Sequence, residues 1–188
     1  MTGAWRIRGV GLALAAVVYV LDQWIKYLVT GPLGLEQVGD QIYLLPIFNL
    51  TLTHNYGVSL GFLPATSPEM RWGLVALTAV IATVVLVWLL RERKLADVTP
   101  LGLILGGALG NIQDRVLHGY VLDFADLHIG EFRPFLIFNV ADAAITIGVL
   151  IILARSLFMR EKPGDTQSEP SEDRAPDEHR ADNPAETL

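Results

Sequence analysis

Six polar residues stand where a membrane-embedded chain should carry none: Asn111, Asp114, Arg115, Asp123, Asn139 and Asp142 fall within or beside long apolar segments. An unpaired charge in hydrocarbon costs at least ~3 kcal/mol, so such residues mark a candidate functional site. Their chemistry is narrowed by what is missing elsewhere. The sequence has no cysteine, Ser59, Ser67 and Ser156 have no evident His or Lys base, and His54, His118, His128 and His179 form no HExxH pattern. What remains is a pair of carboxylates. Two carboxyls held close in a poor dielectric cannot both ionise and so share one proton. The ionised one takes a proton from water while the protonated one hydrogen-bonds a scissile carbonyl, which needs neither metal nor cofactor.

Asp123 and Asp142 are the favoured pair, because one leaves the third apolar segment and the other opens the fourth. Asp126 competes, with a solvated surface acid as its alternative reading. Asp114 is expected to be the ion-pair partner of its neighbour Arg115. Asp22 and Lys26, four residues apart, are expected to pair with each other on one helix face.

Four apolar segments must position these groups. The chain has 188 residues, 52% of them hydrophobic, and reads as an all-α membrane protein with spans near 10–29, 69–90, 100–117 and 135–159. About twenty residues at 1.5 Å rise give roughly 30 Å, enough to cross a bilayer. Gly102, Gly106 and Gly110 recur every four residues and predict a face for close helix packing. Trp5, Trp24, Trp72 and Trp88 lie near span ends and are expected as interfacial anchors.

The two long connections, 30–68 and 118–134, carry Arg133 as their single basic residue, whereas the other flanks hold Arg6, Arg8, Arg91, Arg93, Lys94, Arg155, Arg160 and Lys162. The positive-inside rule then puts both termini in the cytoplasm and both long loops outside. This topology brings the polar residues of three helices to one depth near the outer face. Residues 42–53, IYLLPIFNLTLT, predict a small β-rich surface subdomain with Pro46 at a bulge or edge. The 120–134 stretch is expected as a polar loop. Residues 161–188 hold nine acids and three basic residues and read as a disordered acidic cytoplasmic tail, separate from the membrane domain of 1–160. No basic patch suggests nucleic acid.

Intramembrane acids also occur in transporters, and as glue in membrane scaffolds. A route across the bilayer would need polar groups at many depths, and helix two has none comparable. Glue would not account for two acids placed within reach of a membrane-level peptide bond.

The ordered blocks DQWIK (22–26), NYGVSLGF (55–62), GGALGNIQDR (106–115), VLDFAD (121–126) and FNVAD (138–142) resemble those of lipoprotein signal peptidase, or signal peptidase II. The likeness spans roughly residues 10–155. It implies a bacterial inner-membrane aspartic endopeptidase, needing no metal or cofactor, that cuts a prolipoprotein before its diacylglyceryl-modified cysteine. Its partners would be such substrates and membrane lipid, and the chain would act as a monomer. By position, Asp123 and Asp142 resemble the family's catalytic pair. Asn111, Arg115 and Asn139 match positions that organise the polar site, Asn55 and Gly57 match the loop lining the substrate groove, and Asp22 and Lys26 match supporting positions. The sequence departs at Val58, Ser59, Leu60 and Gly61, where many members have Ala-Ala-Phe-Ser. Closure of residues 57–62 over the site is a further expectation.

Overall fold

The computed structural model describes residues 2–57, 67–130 and 132–158. The tail from 161 and most of the 57–62 loop therefore lie outside the described residues. Among the described residues, four helices are long and apolar enough to cross a membrane: α1 (Thr2–Thr30), α2 (Pro68–Arg91), α3 (Leu95–Leu117) and α4 (Val140–Phe158). Three strands, β1 (Gln41–Leu45), β2 (Phe48–Asn55) and β3 (Val121–Leu127), form one antiparallel sheet in the order β1-β2-β3.

Helix boundaries follow local chemistry, and three differ from the sequence expectation. Ser67 caps α2 by accepting the Met70 N–H at 3.3 Å, with Pro68 and Glu69 in the first turn, where a missing N–H and a negative charge are both tolerated. α1 begins eight residues before 10, at Thr2. α3 begins at Leu95 and runs through Pro100, because a proline this near the start removes a single helical hydrogen bond. α4 begins at Val140 rather than 135, because residues just before it pair with β3 instead.

α3 lies at the centre and touches the other three helices. Its glycines make this possible. A methyl group at Gly102 or Gly106 would strike the backbone of Gly11 or Ala15 in α1, and one at Gly107 would strike the carbonyl of Ala141 in α4. Lipid offers no hydrophobic drive between helices, so this close backbone approach supplies the packing. Ala15, Ala82, Val85, Leu89, Val98 and Leu101 fill the helical core. Val29, Leu35, Leu52, Phe124 and Ala125 form a second core between the sheet and the end of α1.

The 42–53 segment is a hairpin, with Leu45 opposite Phe48 and Pro46 in the tight turn rather than at a bulge or edge. The expected 120–134 loop contains β3. That strand is bonded on both sides. β2 pairs with it in register Thr53–Asp123 and Asn55–Val121, and Phe138 closes its far edge by exchanging backbone bonds with Ala125 at 2.7 and 3.1 Å.

Candidate active site

Asp123 projects from a strand held on both edges, and the residue is 2% exposed. Asn55 donates to its Oδ2 at 3.0 Å and Asn139 to its Oδ1 at 2.6 Å. The Asn55 amide is itself aimed by the Gly57 N–H, which donates to Asn55 Oδ1 at 3.1 Å. Asp142 sits in the first turn of α4 and is only partly buried; Asn111 donates to its Oδ1 at 2.8 Å.

Two amides link the acids. Asn139 Nδ2 also lies 3.3 Å from Asn111 Oδ1, so the chain of contacts runs Asp123, Asn139, Asn111, Asp142. Asn139 was expected inside the helix, but it precedes α4 as its cap: its Oδ1 accepts the Asp142 N–H at 2.8 Å. The same side chain thus terminates the helix and holds a carboxyl of the strand.

Burial pushes the Asp123 carboxyl up to about 7, and the negative charge of Asp142 adds to the rise; the amides of Asn55 and Asn139 and the Lys26 charge act against it. A carboxyl in this state is a proton donor near neutral pH.

The remaining acids divide differently from expectation. Lys26 does pair with Asp22, at 2.7 Å, but Asp114 pairs with Lys26 as well, at 2.7 Å, and not with Arg115. Among the described residues Arg115 forms no ion pair. Its guanidinium donates to the carbonyl oxygens of Gly57 at 2.8 Å and Asn111 at 3.4 Å, and its Nε has no partner there. The charges of Asp142, Asp123 and Asp114 act on it without direct contact. Arg115 therefore binds backbone at the junction of α3 and the loop after β2.

Asp126 is not a surface acid. It is fully buried, receives Arg133 at 3.0 and 3.3 Å, and accepts the Thr51 hydroxyl at 3.0 Å. Burial alone would raise its carboxyl, but the bonds from Arg133 and Thr51 outweigh that and hold it below the usual carboxylate range. Sequence reasoning missed the roles of Arg133, Thr51 and Gln23; the last donates to Asp114 Oδ1 at 2.9 Å. The signal for Arg133 was its standing as the one basic residue of the outer loops.

A cavity of about 500 Å³ lies between the ends of α1 and α3 and the sheet, lined in part by Lys26, His54, Asp114, His118, Tyr120 and Leu122. Neither Asp123 nor Asp142 is among its described lining residues. It opens on the Lys26–Asp114 pair rather than on the two linked acids.

Comparison with known proteins places these features in context. The family model described as Signal peptidase (SPase) II matches residues 14–158. A lipoprotein signal peptidase of Sphingopyxis alaskensis is 56% identical over 163 residues, covering 87% of this chain and 94% of that protein. One from Rhizorhabdus wittichii is 53% identical over 154 residues, covering 82% and 89%. Among solved structures, a bacterial membrane enzyme determined by the in meso method at 2.3 Å superposes with a TM-score of 0.72 at 29% identity, covering 85% of this chain and 95% of that one.

Proposed function

Because the chain belongs to the signal peptidase (SPase) II family, whose members remove signal peptides from prolipoproteins, we propose that it does so as an aspartic endopeptidase with Asp123 and Asp142 as the water-activating pair. It is a multi-pass protein of the bacterial inner membrane. The cut falls before the diacylglyceryl-modified cysteine of the substrate. The observation that carries the reading is the amide-linked pair itself, in which one carboxyl is buried with its pKa near 7 and the other lies at the start of a helix.

The two acids share one proton, and the buried Asp123, whose carboxyl is raised by its surroundings, serves as the acid with Asp142 as the base. Water adds to the scissile carbonyl carbon and gives one proton to Asp142, while the Asp123 proton moves to the carbonyl oxygen. The product is a neutral gem-diol. Its C–N bond then breaks: the nitrogen takes the proton from Asp142 and one diol hydroxyl returns its proton to Asp123. Both acids end as they began, and the cycle creates no new charge in the low-dielectric site. Asn111 and Asn139 keep the carboxyls in place during these transfers, and Asn55 and Gly57 line the path of the peptide.

The asymmetry of Lys and Arg supports both termini in the cytoplasm and the acids near the outer face, where a lipidated cleavage site would arrive. The chain works as a monomer among membrane lipids. The test is cleavage of a purified diacylglyceryl prolipoprotein by the full chain in detergent with EDTA, beside Asp123→Asn and Asp142→Asn. Asn keeps the shape and removes the acid. Wild-type cleavage with both variants folded and inactive is the expected result; a variant that keeps most of its activity overturns the pair.

A further inference from the structure

Three charged side chains are buried together beside the two linked acids without touching them. Asp22 is 0%, Lys26 5% and Asp114 2% exposed. The Lys26 ammonium lies 2.7 Å from each carboxylate, so the cluster carries a net charge of −1. Burying ions in this way is a poor source of stability, because desolvation offsets the attraction, and an apolar replacement of the same size is often neutral or better. The backbone groups that the two carboxylates also hold, Asp22 through its second oxygen and Asp114 through the oxygen it shares with Lys26, suggest what the charges do.

Asp22 Oδ1, the oxygen not used by Lys26, accepts the backbone N–H of Ala141 at 2.9 Å. Asp114 Oδ2 accepts the backbone N–H of Leu122 at 3.1 Å. Ala141 is the residue before Asp142, and Leu122 is the residue before Asp123. One continuous run of polar contacts therefore goes from the Ala141 amide through Asp22, Lys26 and Asp114 to the Leu122 amide. The excess negative charge faces the first turn of α4, where unpaired N–H groups favour it. Gln23 braces the middle, donating to Asp22 Oδ2 at 3.2 Å and Asp114 Oδ1 at 2.9 Å.

We infer that Asp22, Lys26 and Asp114 form a strut that sets the separation of Asp123 and Asp142 by gripping the backbone one residue before each. They are positioning residues. The inference rests on the proposed pair for its catalytic consequence, but the grip itself can be measured without turnover. Neighbouring Cα atoms are about 3.8 Å apart along the chain, so a displaced amide carries the next carboxyl with it. Misplacement by about 1 Å can cost about 100-fold in rate.

The strut also offers a clean perturbation. Replacing either acid by leucine leaves a neutral buried pair, Lys26 with the surviving carboxylate, and so avoids an orphaned charge. The experiment compares the full-length wild type, Asp114→Leu and Asp22→Leu by amide hydrogen exchange, thermal unfolding, and kcat and KM on a diacylglyceryl prolipopeptide. In Asp114→Leu the Leu122 amide should lose protection while Ala141 keeps it; Asp22→Leu should do the reverse. In both, kcat should fall by about 100-fold with KM changed by less than about twofold. If a leucine variant does not accumulate as folded protein, Gln23→Met removes the brace together with the bond Gln23 accepts from Gln113 at 2.6 Å, and protection should fall at both the Ala141 and Leu122 amides, more weakly than in the leucine variants and with a smaller loss of kcat. Unchanged exchange at both amides overturns the strut. So does a general loss of protection in which kcat falls in step with unfolding temperature, since that is support of the fold alone. If the exchange pattern is as expected but wild type cleaves no prolipoprotein, the strut stands and the proposed hydrolysis fails.

Discussion

Asn139 Nδ2 donates to Asp123 Oδ1 at 2.6 Å, across 16 positions of sequence, while its Oδ1 accepts the N–H of Asp142. One amide side chain therefore requires both of its faces, and the two can be separated by substitution. Asn139→Ser keeps an oxygen to cap α4 but is too short to donate to Asp123. Its unfolding temperature should stay near wild type, while kcat falls by at least about 100-fold, the usual range for disturbing an acid–base group. Asn139→Ala should lose both, with about 1 kcal/mol of stability gone through the cap alone. Thermal unfolding in detergent beside a cleavage assay separates the two.

The raised pKa of Asp123 fixes the sign of a pH dependence. Its carboxyl is neutral below about 7 and ionises as pH rises through that value, leaving two carboxylates and no acid to protonate the carbonyl. Cleavage should therefore decline on the alkaline side with a midpoint near 7. Asn55→Ala removes a bond that favours the ionised form, so its alkaline limb should move to higher pH. A limb that moves down, or stays fixed, contradicts the assignment of that limb to Asp123.

Asp126 provides the control acid. Bound by Arg133 and Thr51, it has no free role in proton transfer, and Asp126→Asn should cleave within about threefold of wild type once stability is accounted for. It should lose about 1–3 kcal/mol of stability at neutral pH, as expected for hydrogen bonds to a charged group. Since its carboxyl is held below the ordinary value, the wild-type advantage exists above the unfolded pKa and disappears as pH falls through the folded one. Unfolding temperatures of both proteins measured from neutral to acid pH should converge.

Gly106 tests the packing on which the depth of the site depends. Gly106→Ala drives a methyl group into the Ala15 carbonyl of α1, and overpacking of this kind costs about 1–3 kcal/mol. Gly73, with open space around it, should accept alanine without loss, and the pair can be compared by unfolding in one detergent.

Much of this was legible in the sequence because hydrocarbon is an unforgiving solvent. Four apolar runs, the glycine spacing in α3 and the gathering of Asp22, Asn111, Asp123 and Asp142 all follow from what a bilayer tolerates. The errors came where long-range partners override local pattern. Asp114 and Arg115 are adjacent, but successive residues on a helix point in different directions, so Asp114 meets Lys26 of α1 while Arg115 reaches Gly57. β3 reads as a loop because VLDFADL carries two acids; each is satisfied by partners outside the strand, Asn55 and Asn139 for one, Thr51 and Arg133 for the other. A strand whose polar residues all have partners elsewhere looks like a loop until those partners are known.

The sheet closes β3 on both sides but leaves β1 as its outer strand, with Tyr43, Leu44 and Leu45 all more than half exposed. Backbone groups with no strand partner among the described residues, beside bare apolar side chains, form a template for association between molecules. In a bilayer, lipid headgroups and acyl chains can shield that rim; in a detergent micelle too small to reach it, copies of the protein would adhere through their hairpins. The choice of amphiphile thus governs whether a purified sample stays monodisperse, and the hairpin, rather than the helices, is the region it must cover.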